Sequence, residues 1–334
     1  MTSKFLQKIN SVEWLLTDGA TGTNLFNMGL RSGDAPELWN EKYPNKIVKL
    51  HKESVDAGSD IFLTNSFGSN ALRLKLHSFE NKAFELSKIS AEIARGVADC
   101  CDRSVFVAGS VGPTGEIMQP IGDLSHQLAV EVFQEQAQGL KEGGVDLLWL
   151  ETISSLEEFK AAAEAFSHVE LPWVGTMSFD TAGRTMMGTS PAAMVELISA
   201  LPNKPVAFGA NCGTGAPDLI RTIQDFVKSS PNGILIAKGN AGIPKYVSGH
   251  IHYDGTPELM AKYAVMVRNS GAKIIGGCCG TKSEHLLSMR TALESEVLTS
   301  SPSLEQVELE IGPFTKQIGN ENKRHTSKRR RRRV

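Results

Sequence analysis

Five cysteines occupy three places in this 334-residue sequence: Cys100-Cys101, Cys212 and Cys278-Cys279. Two of the places are glycine-containing turns, Asn211-Cys212-Gly213-Thr214 and Gly276-Gly277-Cys278-Cys279-Gly280. Soft thiolates favour zinc among the common divalent ions. Three protein ligands with a fourth position open is the arrangement of a catalytic zinc site, whereas a structural site closes with four. A substrate thiol entering the open position would lose its proton at neutral pH and become a nucleophile suited to an alkyl donor. Adjacent residues of a strand point to opposite faces. Cys278 and Cys279 therefore share a metal only if the chain leaves its strand there, which the surrounding glycines permit. The competing reading is small buried residues at strand ends. It suits a lone cysteine better than a Gly-Gly-Cys-Cys-Gly turn matched by a second cysteine turn. Cys100-Cys101 lies at the start of a strand and reads as packing.

Such convergence needs a scaffold that brings distant turns to one rim. Eight short apolar runs recur at 14–17, 61–64, 105–108, 147–150, 173–177, 206–209, 234–237 and 273–275. They are apolar throughout, as buried parallel strands are. Helical patterns separate them at 47–57, 80–100, 124–143, 156–169, 191–200, 218–229 and 256–270. Ser125 marks one helix start, Ser155 with Glu158 reads as a capping box, and Gly143-Gly144 reads as a glycine stop. Eight strands alternating with helices predict a closed α/β architecture, the (β/α)8 or TIM barrel; a doubly wound open sheet is the rival. The distinctive turns all follow strands: Asp18-Gly-Ala-Thr-Gly-Thr23, Asn65-Ser-Phe-Gly-Ser-Asn70, Gly109-Ser-Val-Gly-Pro-Thr-Gly-Glu116, Glu151-Thr152, Asn211-Cys-Gly-Thr214, Gly239-Asn-Ala-Gly-Ile-Pro244 and Gly277-Cys-Cys-Gly280. In a barrel that end is the active-site face. The pattern fades after Leu298, so the expected organisation is one barrel domain over 1–298 and a polar, basic, disordered tail over 299–334.

Composition narrows the class further. Apolar residues make up 41% and charged residues 22%, ordinary values for a globular chain. The formal charge of −2 divides unevenly: 320–334 carries +7 and the rest −9. An acidic body excludes a dedicated nucleic-acid-binding domain, although the tail alone would adhere to acidic polymers. No apolar run approaches the roughly 20 residues of a membrane span. No secretory signal pattern is recognisable near the N-terminus. The cysteine count makes a poor disulfide framework, and together these features predict a cytoplasmic protein.

Taken as a set, Asp18-Gly-Ala-Thr-Gly-Thr, Thr64-Asn-Ser-Phe-Gly, Gly112-Pro-Thr-Gly-Glu, Leu150-Glu-Thr, Gly209-Ala-Asn-Cys-Gly and Gly276-Gly-Cys-Cys-Gly-Thr resemble the homocysteine S-methyltransferases over about residues 14–295. The resemblance implies a (β/α)8 barrel with Cys212, Cys278 and Cys279 as zinc ligands. It further implies that Asp18 and Glu151 hold the amino group of homocysteine, a pairing that fits the need of an ammonium for carboxylate acceptors. A turn residue at Asp18 and a helix cap at Glu151 are the plainer alternatives. Backbone N–H groups at Ala20 and Thr21 are candidates for the substrate carboxylate. Asn240 resembles a residue that takes the fourth zinc position before substrate arrives, with a turn asparagine as the alternative.

For the methyl donor, the segment 25–40 with Pro36-Glu-Leu-Trp39 looks most like bacterial betaine-using members. Trp39 would then face a quaternary ammonium, or else anchor the first loop. Animal betaine enzymes have tyrosines where this sequence has Gly68 and Thr152, so the donor pocket differs. S-methylmethionine, a dimethylsulfonium compound and a corrinoid-linked demethylation are the alternative donor chemistries. The expected partners are homocysteine and a small donor; a corrinoid protein is a candidate partner for the tail, and the resemblance leaves a homo-oligomer open. The non-enzymatic rival is a protein that merely stores zinc.

Overall fold

The apolar runs become eight strands of one parallel sheet, with a short antiparallel ribbon inserted before the last. The computed structural model describes residues 3–180, 182–230, 232–242, 245–247 and 250–315, apart from the side chains of 245–247 and 250–252. The strands are β1 (Leu15–Leu16), β2 (Ile61–Leu63), β3 (Phe106–Val111), β4 (Leu147–Ile153), β5 (Trp173–Met177), β6 (Ala207–Cys212), β7 (Leu235–Gly239), the ribbon pair β8 (Lys245–Val247) and β9 (His250–His252), and β10 (Ala272–Gly277). The sheet runs β1-β10-β7-β6-β5-β4-β3-β2, and a parallel bridge from Thr17 to Ile61 joins its two ends. The Asp60 carboxylate reinforces that seam by accepting from Leu16 N at 3.0 Å, while Asp60 N donates to Leu16 O at 2.7 Å. The sheet is thus the predicted barrel and not the open doubly wound alternative.

Period-two alternation sorts each strand between two cores. Phe106, Ala108, Leu147, Trp149, Val174, Ala207, Ile236 and Ile274 fill the bore. Leu148, Leu150, Ala210, Leu235 and Ile275 face the outer helices, where they meet Phe159, Phe166, Phe226 and Tyr263. The N-terminal helix Lys4–Ser11 plugs the bottom: Phe5 and Ile9 are buried in the bore cluster, and the Phe5 ring meets Phe106 edge-on at 5.6 Å. The bore is therefore apolar at its base. Residues two or four further along the same faces, such as Ser110, Glu151 and Lys238 at two and Asn211 and Cys278 at four, form its upper end.

Helix boundaries follow the local signals closely. Ser125 caps His126–Glu142 by accepting from Leu128 N, and Pro191–Ala200 has the predicted limits. Ser155 caps Leu156–Ser167 through Glu158 N, but only half of the predicted capping box forms. The Glu158 carboxylate turns away and accepts from Thr114 N at 2.7 Å and Thr114 Oγ1 at 2.6 Å, fastening the loop after β3. Helices Lys4–Ser11, Gly22–Asn27, Ala71–Lys75, Ser283–Ser295 and Leu304–Ile311 were outside the sequence expectation. Four of them are eight residues or shorter, whereas Ser283–Ser295 buries Leu286, Met289 and Leu293 at three- and four-residue spacing, a helical signal that was legible. Among the described residues, no helix is long and apolar enough to cross a membrane.

The predicted tail needs correction over 299–315. Helix Leu304–Ile311 is capped by Ser303 and Gln306 and packs against helices Ala216–Ser229 and Pro257–Asn269. Val307 and Ile311, four residues apart, are buried while Glu305, Gln306, Glu308 and Glu310 are exposed, so the segment reads as polar although one face is docked. Beyond it, Thr315 N and Oγ1 both donate to Asp218. The basic stretch 320–334 lies outside the described residues. Val307→Ala should cost about 2 kcal/mol, the low end for truncating a buried aliphatic side chain. Urea unfolding reads this directly, and an unchanged midpoint would show that the helix is not docked.

Candidate metal and amino-acid site

Gly239 in the middle of the C-terminal rim pairs with Cys212 on one side and with Gly277 on the other. The two cysteine turns therefore leave the sheet at one level, separated by a single strand. Alternation alone sends Cys278 into the bore, in line with Ile274 and Gly276, and Cys212 and Cys279 outward. Two local departures redirect those two. Cys212 adopts φ 61°, a left-handed conformation rare for a side chain of this kind, which costs about 1–2 kcal/mol. After Cys279 the chain turns at Gly280 with φ 78°, a value glycine takes without penalty. The Sγ atoms of Cys212, Cys278 and Cys279 consequently lie within 4.8 Å of one another.

Two asparagine side chains fix these turns. Asn240 Oδ1 accepts from Cys279 N at 3.0 Å, and its Nδ2 donates to Gly213 O at 2.9 Å and approaches Cys212 Sγ at 3.6 Å. Asn240 thus straps one cysteine turn to the other, and the oxygen expected as an alternative zinc ligand is engaged by Cys279 N–H. Asn211 Oδ1 accepts from Thr152 N at 2.9 Å and Thr176 Oγ1 at 2.7 Å, while Nδ2 donates to Thr152 Oγ1 at 2.8 Å. Thr152, itself left-handed at φ 64°, links the Glu151 turn to Cys212. Tyr253 lies against the same turn, its side chain close to Gly280; burial, then the nearby thiols, holds its phenol well above the usual range.

The sulfurs suit a soft cation. A tetrahedral zinc with bonds of about 2.3 Å places its sulfurs about 3.8 Å apart, which this cluster reaches with small movements. The Cys278 thiol is pushed up to about 12, foremost by its hydrogen bond with Cys212 and further by burial. Three thiols so crowded stay protonated unless a cation compensates their charge.

Below the sulfurs lies a buried charge cluster. Asp18 Oδ2 accepts from Leu63 N at 2.8 Å, and Asp18 Oδ1 accepts from Lys238 Nζ at 2.8 Å. Glu151 Oε1 accepts from Ser110 Oγ at 2.5 Å. Burial raises the Glu151 carboxyl above its usual range; Lys238 and Ser110 offset this only in part, and the Asp18 charge adds to the rise. Burial acting alone would lower Lys238, but Asp18, Glu151 and Cys278 together hold it above the usual lysine range. Lys238, Asn211, Ser110 and Tyr253 escaped the sequence reading. A signal existed for Lys238: it lies two residues beyond Ile236 in an otherwise apolar strand, so alternation aims it into the bore.

Other expected site residues lie elsewhere or are engaged. Ala20 N donates to Thr281 O at 3.0 Å, which corrects its assignment as a carboxylate donor. The bond docks the first loop onto the cysteine turn, as do Gly277 N to Asp18 O at 3.0 Å and Gly280 N to Thr23 Oγ1 at 3.1 Å. Thr21 precedes the helix Gly22–Asn27. Trp39 is 5% exposed in a cluster with Leu25, Leu30, Ile47 and Leu50. Its ring has Lys46 Nζ 4.4 Å from the centroid and meets Tyr43 at 5.0 Å. It anchors the first loop and already holds a cation, which corrects the expectation of a donor-facing wall. The loop is clamped further by Asn40 Nδ2 to Asn65 O and by Glu37, which accepts from Gly68 N at 2.7 Å.

A (β/α)8 barrel with three clustered thiols above a buried charge cluster at its C-terminal rim is a scaffold able to hold a soft metal ion. Residues 15–293 match the sequence model of the homocysteine S-methyltransferases, and the chain belongs to that family. It is 28% identical over 297 residues to a methionine synthase of Mycobacterium leprae (strain TN), a match covering 84% of this chain and 24% of that protein. The chain thus spans about a quarter of that relative's length. Among solved structures it resembles the homocysteine methyltransferase MmuM from Escherichia coli. The metallated form has a TM-score of 0.71 at 23% identity, covering 85% of this chain and 98% of that one. The oxidised form has a TM-score of 0.70 at 24% identity, covering 85% and 97%. These likenesses establish the fold.

The asparagine strap carries a stability consequence. Asn211→Ala leaves the part-buried Thr152 N–H without its acceptor, at about 1–3 kcal/mol, and the Thr176 hydroxyl with only Leu150 O at 3.4 Å. A denaturant midpoint unchanged from the parent would show that the strap contributes nothing.

Proposed function

We propose that this protein transfers a methyl group to the thiol of homocysteine, with zinc held by Cys212, Cys278 and Cys279 and glycine betaine as the donor, giving methionine and dimethylglycine. The observation that carries the reading is three sulfurs within 4.8 Å, directly above a buried carboxylate cluster, in a chain of the homocysteine S-methyltransferase family. The metallated state named for the Escherichia coli relative supports a metal in the same fold. When bound, zinc lowers the pKa of a substrate thiol so that the sulfur is a thiolate at neutral pH.

The remaining work falls to the chain itself. Asn240, Asn211 and the docked first loop hold the cysteines in place before substrate arrives, so little reorganisation is left for the reaction. Glu151, with Lys238 and Asp18 behind it, offers negative charge to the α-ammonium. The rim must then present the donor methyl about 3–3.5 Å from the sulfur and in line with the leaving nitrogen. The new S–C bond forms as the N–C bond breaks, and the nitrogen keeps the electron pair.

S-methylmethionine or a dimethylsulfonium compound is the alternative donor: each is a sulfonium cation that would present its methyl to the same thiolate, and the Lys46 contact on Trp39 bears equally on all of these cationic donors.

The purified protein should contain close to one zinc per chain, and Cys279→Ser should lose it. Full zinc retention in that variant would rule out the shared site. Glycine betaine, S-methylmethionine and dimethylsulfonium compounds, assayed in parallel with homocysteine, decide the donor. Failure of every donor with zinc-loaded protein would overturn the enzymatic reading. Glu151→Ala should keep zinc and weaken homocysteine binding by about 10- to 100-fold, the loss of one charge-assisted hydrogen bond; unchanged affinity would remove Glu151 from the pocket.

A further inference from the structure

A lysine inside a barrel strand is costly unless its charge is matched, because the ammonium gives up its hydration. Lys238 is 2% exposed, in a strand that otherwise reads Leu-Ile-Ala and Gly. Its side chain crosses the bore: Nζ is 2.8 Å from Asp18 Oδ1 and 5.3 Å from the centroid of the Trp149 ring on β4. Asp18 is committed twice, because its other oxygen accepts from Leu63 N at 2.8 Å. Glu151 differs. Ser110 holds one of its oxygens at 2.5 Å, and Lys238 acts on it only at longer range. Two carboxylates beside one ammonium leave one net negative charge, enough for one substrate ammonium.

We infer that Lys238 is a positioning residue of the amino-acid pocket: it locks Asp18 into an internal ion pair and leaves Glu151 as the carboxylate that receives the substrate's α-ammonium. The inference rests on homocysteine as substrate. It departs from the assignment of both carboxylates to the substrate, which the resemblance implies. The ion pair has no net charge, so its influence on the substrate is steric and local. Its partner Glu151 supplies the attraction. Lys238 also keeps two carboxylates at the pocket floor from repelling one another, and its removal alone leaves Asp18 a buried, unpaired charge.

The test compares zinc-loaded full-length protein with Glu151→Gln, Lys238→Met, Asp18→Asn and the double variant Asp18→Asn/Lys238→Met. Homocysteine KM and kcat are measured, and homocysteine binding is read by calorimetry. Glu151→Gln should raise KM by about 10- to 100-fold, the value of one charge-assisted bond. The double variant replaces the pair with neutral groups of similar shape and should raise KM by clearly less than Glu151→Gln does, because Glu151 keeps its charge while losing the lysine that orients the pocket floor. Lys238→Met alone should melt at a lower temperature than the double variant, because adding Asp18→Asn removes the stranded charge. A double variant whose KM rises as far as that of Glu151→Gln would overturn the assignment, since Asp18 would then be a substrate ligand. A double variant melting below Lys238→Met would overturn it as well. If the unsubstituted protein binds no homocysteine, the substrate reading fails instead, and the melting comparison still reports on the ion pair.

Discussion

Closure of the barrel at Thr17 and Ile61 is the constraint on which the rim depends. Once the sheet closes, the ends of β6 and β10 are fixed on either side of β7, and their turns must emerge at one height. The register does this through Gly239, paired with Cys212 and with Gly277. The β1–β10 ladder sets Asp18 and Ala20 directly against the cysteine turn, and closure adds β2 on the other side of β1, where Asp18 accepts from Leu63 N. The cysteine turns and the buried charge cluster are therefore parts of one hydrogen-bonded unit.

The unit is held by neutral amides more than by charge. Asn240 joins the two cysteine turns, and Asn211 joins the Cys212 turn to the Glu151 turn. Each amide both donates and accepts, which a carboxylate or an ammonium cannot do. Charges are kept lower in the bore, where Lys238 and Asp18 cancel. Left-handed backbone at Cys212 and Thr152 is tolerated because these bonds over-determine the local conformation.

The scaffold was readable because buried parallel strands and amphipathic helices leave strong periodic signals. The eight runs correspond to the eight barrel strands, and Ser125, Ser155 and the glycine stop at 143–144 sit where helices begin or end. Short elements were not readable: Gly22–Asn27 and Ala71–Lys75 span fewer than two turns, too little for a period to show. Leu304–Ile311 was hidden by its charged faces. In the site, the three cysteines stood out through their glycine-rich turns. The engagements of Ala20, Asn240 and Trp39 did not, because hydrogen-bond partners and occupied faces depend on residues far away in sequence, such as Thr281, Cys279 and Lys46. Glu158 shows the same limit. A local capping rule assigned its carboxylate, and Thr114 captured it from the loop after β3.

The contact between Glu37 and Gly68 ties the first loop to the second. A side chain at 68 would put its Cβ 2.8 Å from Glu37 Oε1, and displacing that buried carboxylate would strand the Gly68 N–H it accepts from. The two positions, 31 residues apart, therefore behave as one variable. Among relatives built on this barrel, a ring at the position of Gly68 should travel with a shorter or reoriented side chain at that of Glu37. Diversification of this corner of the rim should thus proceed by paired exchanges rather than single ones.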